Sequence, residues 1–230
     1  MCGGYDSLSI LEKVKQSTLK VKNGEATFER DSVIFNHTEY NYPLLTCLFY
    51  VSSCFHNRLR VIDFGGALGS TFYQCRNLLA PLDDIKWSIV EQSQFVECGN
   101  QFIKEDSLDF YYSLEDCLNQ NDKEVLLISS TLQYLDQPYK YLEEILSYNL
   151  PFLMIDRTPF FDLPDRITIQ KVSPYIYEAS YPAWFFNKKK FLSFVNRKYE
   201  MTLEWDSFEK WDLGDVTVNN KGMLLRRKDL

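Results

Sequence analysis

The sequence predicts an α/β fold, a parallel sheet with helices on both of its faces, and three observations carry that prediction. From Arg60 onward, short apolar runs such as Val125-Leu-Leu-Ile128 and Phe152-Leu-Met-Ile155 alternate with segments of helical periodicity. Strands written as near-continuous hydrophobic runs with helices between them belong to parallel sheets buried on both sides. The first of these strands runs directly into a glycine-rich turn and then a helix, Arg60-Val-Ile-Asp-Phe-Gly-Gly-Ala-Leu-Gly-Ser70, the arrangement of a nucleotide-holding loop. Finally, 230 residues with 45% hydrophobic content suffice for one well-buried domain and fall short of two ordinary ones joined by a linker.

Each element has its own signal. Leu8, Leu11 and Val14 at helical spacing, with Asp6 or Ser7 as N-cap, predict a short amphipathic helix over 6–16. A connecting segment follows, with a turn at Asn23-Gly24 and a polar run to Asp31 that offers few core residues. Pro43 suits the first turn of a buried helix reaching Phe55. The alternation then predicts strand 60–64, helix 71–80, strand 86–90, helix 92–104, strand 108–111, helix 114–120, strand 124–129, helix 137–148 and strand 151–155. Right-handed crossovers place the carboxyl ends of these strands on one edge, so that Asp63, Glu91, Ser129 and Asp156 are expected to converge there. Residues 157–186 break the pattern. They are rich in aromatics and proline, including Pro174, Tyr175 and Tyr177, with one strand-like piece at 166–172, and are expected to form a lid or acceptor pocket. A helix over 188–197 and strands over 199–205 and 222–227 complete the chain.

The chemistry of the loop narrows its ligand. Glycines let a ligand approach bare backbone, and the following helix N-terminus presents amide N–H groups to it. Asp63 at the strand tip would repel a dinucleotide pyrophosphate and would suit a cationic ligand, and Phe64 occupies the place of the first glycine in the dinucleotide pattern G-x-G-x-x-G. Read as acid-x-Gly-x-Gly-x-Gly, the segment matches at Asp63, Gly65 and Gly69, with Ala67 in place of the middle glycine. That loop resembles the one in class I S-adenosylmethionine (SAM) methyltransferases. Glu91, at the end of the next strand, is positioned to accept hydrogen bonds from both hydroxyls of a ribose.

The resemblance extends from about Gly4 to Arg227. Asp63-Phe-Gly-Gly-Ala-Leu-Gly-Ser-Thr-Phe-Tyr73, Trp87-Ser-Ile-Val-Glu-Gln92, Ser129-Ser-Thr-Leu-Gln-Tyr-Leu135, Asp156-Arg-Thr-Pro-Phe160 and Ser180-Tyr-Pro-Ala-Trp-Phe-Phe186 resemble the successive signatures of a bacterial family of methyltransferases associated with surface-polysaccharide biosynthesis. The resemblance implies a Rossmann-like sheet of seven mostly parallel strands with the last one antiparallel. It also implies SAM as cofactor and four segments of one methyltransferase domain over 1–230: an N-terminal helical cap (1–58), a SAM-binding core (59–156), an acceptor-side lid (157–186) and a C-terminal helix with strands (187–230). Cofactor contacts are expected from Asp63, Gly65, Gly66, Gly69, Glu91, Gln92, Ser129 and Gln133, and acceptor contacts from Tyr134, Arg157, Arg166, Tyr181 and Trp184.

Methyl transfer from a sulfonium depends chiefly on positioning, because the methyl group is already activated. A hydroxyl acceptor would gain from a base, for which His37 and Asp156 are the candidates. For an anionic acceptor oxygen, of a phosphate or phosphoramidate for example, cations suffice, and Arg157, Arg166 and Lys171 lie in the expected lid. A net charge of −7 argues against a nucleic-acid backbone as partner, which leaves a small or sugar-linked acceptor. The lack of an apolar leader or of a long apolar run points to a cytoplasmic protein without a membrane span. The six cysteines form no C-x-x-C pair, and Cys54 with His56 offers too few ligands for a metal, so reduced thiols and no metal are expected. Two other functions fit the same fold: a Rossmann enzyme using NAD or a nucleotide sugar, and a methyltransferase-like subunit without activity. The need for a partner subunit is not written in the sequence.

Overall fold

The computed structural model describes residues 8–120, 122–172 and 179–230. The expected caps Asp6 and Ser7, together with Pro174, Tyr175 and Tyr177, lie outside the described residues. The chain divides into two compact units, Met1–Lys123 with Lys171–Tyr181, and Glu124–Gln170 with Pro182–Leu230.

The first unit opens with α1, Leu8–Lys22. It runs past the expected end at residue 16 because Ser17, Thr18 and Val21 are buried as Ile10 and Val14 are. Ser17 Oγ donates back to the Lys13 carbonyl and across to that of Ser32. Where a featureless connection was expected, the chain forms a hairpin of β1, Phe28–Arg30, and β2, Val33–Phe35, paired from Phe28↔Phe35 to Arg30↔Val33. Its turn residues Asp31 and Ser32 both have positive φ, 52° and 67°, the handedness that a two-residue hairpin loop requires. Strands of three residues are too short to leave a periodic signal, yet Phe28 and Glu29 are buried. In α2, Tyr42–Cys54, the Asn41 side chain accepts from the Leu44 amide, Pro43 occupies the first turn, and Leu44, Leu45, Leu48 and Val51 fill the core.

The alternation follows as β3, Arg58–Phe64; α3, Ser70–Leu79; β4, Asp84–Val90; α4, Ser93–Cys98; β5, Leu108–Tyr111; and α5, Leu114–Gln120. The single helix expected over 92–104 closes instead in a π-helical turn, Gly99–Ile103, whose terminal carbonyls accept from Lys22 Nζ, at 2.7 Å for Ile103. β3, β4 and β5 are parallel neighbours, with Val61↔Trp87 and Ile89↔Phe110 in register.

The remaining elements, which belong to the second unit except for Lys171, Ser180 and Tyr181, are β6, Val125–Ser129; a 3-10 turn, Leu132–Tyr134; α6, Pro138–Ser147; β7, Phe152–Phe161; β8, Arg166–Lys171; β9, Ser180–Asn187; α7, Lys188–Val195; β10, Tyr199–Asp212; and β11, Thr217–Arg227. Strand order is β6-β7-β11-β10, with β6 and β7 parallel and β11 antiparallel to both its neighbours. The parallel strands, their covering helices and the antiparallel final strand are those of the expected fold class. The lengths differ. β7 does not stop at residue 155 but continues to Phe161, and β9 adds a further strand where only one strand-like piece was expected between 157 and 186. The cause is a bulge: Arg157 has φ 50°, opposite a register shift between Lys221 and Met223. The polar Asp156-Arg157 pair therefore resembles a strand end while the backbone pairing resumes beyond it. β10 and β11 likewise extend past the expected 199–205 and 222–227. Among the described residues, no helix is long and apolar enough to cross a membrane.

Candidate ligand site around the glycine loop

In the first unit the tip of β3, the loop and the end of β4 form one cluster. Gly65, φ 76°, starts the turn and its amide donates to the Val90 carbonyl at 2.9 Å. Gly69, φ 97°, precedes α3 in the left-handed region and provides no side-chain cap. Gly66 has a different reason to be glycine: a Cβ there would stand 2.6–2.9 Å from the carboxylate atoms of Asp63. The loop therefore lies directly on that carboxylate.

Asp63 is 1% exposed and its Oδ2 accepts from Trp87 Nε1 at 3.0 Å. Burial pushes its pKa up to about 7, against the indole N–H, which favours the ionised form, and with help from the neighbouring charge of Glu91. Glu91 is half-buried. One of its oxygens accepts from the Ala67 amide at 3.3 Å and the other from the Gln92 amide at 2.7 Å, so it faces the loop from the end of β4. Gln92 is exposed at the start of α4. The structure thus brings Asp63, Gly65, Gly66, Gly69, Glu91 and Gln92 together, on elements that the strand-loop-helix pattern had already fixed.

The sequence reading missed Glu29. This residue of β1 is 1% exposed and accepts hydrogen bonds from Ser70 Oγ, in the first turn of α3, and from the Ser32 amide at 3.3 Å. Burial first, with the charge of Asp31, raises its pKa to about 7 against those two donors. No local motif marks it. His37 stands on the exposed segment after β2, its side chain 72% accessible and 3.7 Å from Glu39.

A second cluster lies in the other unit, at the bulge of β7. Ser129 and Asp156 are register partners, and Asp156, 1% exposed, accepts from Ser129 Oγ and Trp205 Nε1, both at 3.1 Å. Burial raises the Asp156 pKa, opposed by Arg157 and by the two donors. Gln133, 2% exposed, donates through Nε2 to Ser130 Oγ and the Arg157 carbonyl, each at 3.2 Å, while its Oε1 meets no hydrogen-bond partner among the described residues. Tyr134 donates its hydroxyl to Gln170 at 2.9 Å. Trp184 donates to the Leu135 carbonyl at 3.0 Å and stacks on Phe186.

Two of the three expected cations are already engaged. Arg157 pairs with Glu209 and lies over the Phe208 ring, and Arg166 makes a two-pronged contact of 2.8 Å per arm with Asp215. Lys171 is exposed, and Tyr181 is half-buried in the first unit. Among the described residues no group of acids, cysteines and histidines is arranged to hold a metal ion.

No family model matches the sequence, and no curated protein matches it either. Solved structures do match its fold. The N-terminal domain of EvdMO1, crystallised in the presence of SAH and D-fucose, superposes over 94% of this chain and 97% of its own with a TM-score of 0.57 and 10% identity. Magnesium protoporphyrin IX methyltransferase (ChlM) from Synechocystis PCC 6803, with bound SAM, covers the same shares at a TM-score of 0.52 and 8% identity. A SAM-dependent methyltransferase from Clostridium acetobutylicum ATCC 824 covers 82% of this chain and 93% of its own, at a TM-score of 0.51 and 9% identity. At these identities the likeness is one of fold.

Proposed function

We propose that the protein is a SAM-dependent methyltransferase that methylates an oxygen of a small, carbohydrate-linked acceptor, either a hydroxyl or an acidic phosphate-type oxygen. The observation that carries this reading is the glycine loop seated on the buried carboxylate of Asp63. A carboxylate beneath the loop favours a ligand with cationic groups and disfavours the pyrophosphate of NAD or a nucleotide sugar. Neighbours of the same fold bind SAM or SAH, and one was crystallised with a sugar as well, which supports the reading and makes sugars the first acceptors to test.

The residues fit such a ligand. Gly65, Gly66 and Gly69 bring bare backbone to it, Asp63 supplies negative charge, and Glu91 holds the ribose hydroxyls with Gln92 beside it. Ser129 and Gln133 are assigned to the cofactor from the sequence, and the unpartnered Oε1 of Gln133 is a buried acceptor that a ligand donor would satisfy. SAM supplies a sulfonium-activated methyl group when bound; the chain's part is to orient the acceptor and take up its proton. For a hydroxyl acceptor, Asp156 is the better base, because burial raises its proton affinity, whereas His37 is largely solvated. Tyr134, Arg157, Arg166, Tyr181 and Trp184 are assigned to the acceptor side within residues 157–186 and the turn after β6. For an anionic acceptor, Arg157 and Arg166 would have to exchange Glu209 and Asp215 for it.

Calorimetric titration with S-adenosylhomocysteine and, separately, NADH tests the assignment. The thioether is expected to bind and NADH not to. Glu91→Ala should weaken thioether binding by about 1–3 kcal/mol, the scale of a hydrogen bond to a charged group. Binding of NADH without the thioether, or an unaffected Glu91→Ala protein, overturns the assignment. Turnover with a sugar acceptor then separates an enzyme from a methyltransferase-like subunit.

A further inference from the structure

We propose that Glu29 is a positioning residue of the donor site: from the N-terminal hairpin it holds Ser70, and through Ser70 the glycine loop and the start of α3, in the conformation that receives the ligand. The proposal rests on the reading of this loop as the donor site.

Glu29 is a carboxylate in a three-residue strand of a small hairpin, the kind of place where an acid normally faces water, yet it is 1% exposed. Burying a carboxylate is costly unless donors meet it. Two do. Ser32 offers its amide from the hairpin turn, where Asp31 and Ser32 adopt positive φ and so fold the turn back toward the acid. Ser70 offers its hydroxyl from the helix that follows the glycine loop.

The second of these explains why an acceptor is needed at this position. The residue before α3 is Gly69, in the left-handed region and without a side chain to cap the helix. A serine or aspartate cap is barred there, because φ 97° strains any side-chain-bearing residue and a Cβ would stand 3.3–3.4 Å from Leu108 and Ile89. Glu29 supplies a hydrogen-bond acceptor at the same helix N-terminus from outside the loop. The loop thereby stays bare while its far end is fixed, and the two buried acids hold it from two sides, Asp63 beneath Gly66 and Glu29 at Ser70.

The test compares S-adenosylhomocysteine affinity and thermal midpoint in Glu29→Ala, Glu29→Gln, Ser70→Ala and the Glu29→Ala/Ser70→Ala double variant, with Asp63→Ala as reference. Loss of the contact should weaken binding about tenfold in either alanine variant, the scale of one hydrogen bond to a charged group. The double variant should bind no more weakly than the single ones, because one contact is being removed twice. Glu29→Gln, whose amide oxygen can still accept from Ser70, should restore affinity to within about threefold of the parent protein. Ser70→Ala keeps the proposal testable if Glu29→Ala fails to fold. If Ser70→Ala and Glu29→Ala lower only the thermal midpoint and bind normally while Asp63→Ala does not bind, Glu29 is merely structural and the proposal falls. Should Asp63→Ala bind normally too, the loop is not the donor site, and it is the underlying reading that fails.

Discussion

Ala67 carries the glycine loop through φ 49°, where Gly65 and Gly69 stand at 76° and 97°. A Cβ in the left-handed region costs roughly 1–2 kcal/mol, and glycine returns some of that by its greater freedom in the unfolded chain. Ala67→Gly should therefore be neutral or stabilising by up to about 1 kcal/mol, against the usual loss for such a change, as measured by urea unfolding. A loss larger than about 0.5 kcal/mol would show that the Ala67 methyl packs more than it strains. The sequence could name this position, because the acid-glycine pattern has a slot there that alanine fills imperfectly. It could also name Asp63 and Glu91, each fixed by a strand end. What it could not show were partnerships across long separations. Arg157 and Arg166 were visible as cations, but Glu209 and Asp215 are 52 and 49 residues away. Glu29 was invisible for the same reason, since its meaning lies in Ser70, 41 residues on.

Among the elements, those with a single unbroken period were legible: β5 and α5 have the expected bounds, and α2, β3, α3, β4, β6 and α6 differ by at most two residues. The misplaced strand bounds share a physical cause, backbone pairing that persists where the side-chain pattern is interrupted. β7 crosses its own bulge, and β10 continues past Trp205 with a register shift between Asp206 and Lys210. Opposite Trp205 stands Gly222 of β11, and a Cβ there would overlap the indole ring. The ring has little room to yield, because its Nε1 is bound to Asp156. Gly222→Ala should then cost about 1–3 kcal/mol through forced displacement of Trp205, read as a lower urea midpoint. Unchanged stability would mean that the indole swings away freely, and that the Trp205 contact does not fix Asp156.

At the scale of the whole molecule, the buried acids set how stability responds to pH. Asp63 and Glu29, both in the first unit, have pKa values raised to about 7 in the folded protein from 3.8 and 4.5. A folded state that holds its protons more tightly than the unfolded one is favoured at low pH, so this contribution is fully present below about pH 4 and is lost as pH rises through 7. With one pKa unit worth about 1.36 kcal/mol, each acid withdraws roughly 3–4 kcal/mol by pH 8. Exposed acids work in the opposite sense at the acid end. Hydrogen bonds from Lys221 and Arg166 lower the pKa values of Asp206 and Asp215, whose small contributions disappear as pH falls below the ordinary carboxylate range. Stability should accordingly be greatest near pH 4 and decline toward pH 8, as followed by urea unfolding at fixed ionic strength. Asp63→Asn and Glu29→Gln keep acceptors for Trp87 and Ser70 but carry no charge, so each should flatten that decline and be relatively more stable than the parent protein at pH 8 than at pH 5. A parent protein with the same urea midpoint at both pH values would show that neither acid is desolvated as its burial implies. A decline that survives both substitutions would assign it to other groups, of which buried Asp156, also raised by desolvation, is the next to test.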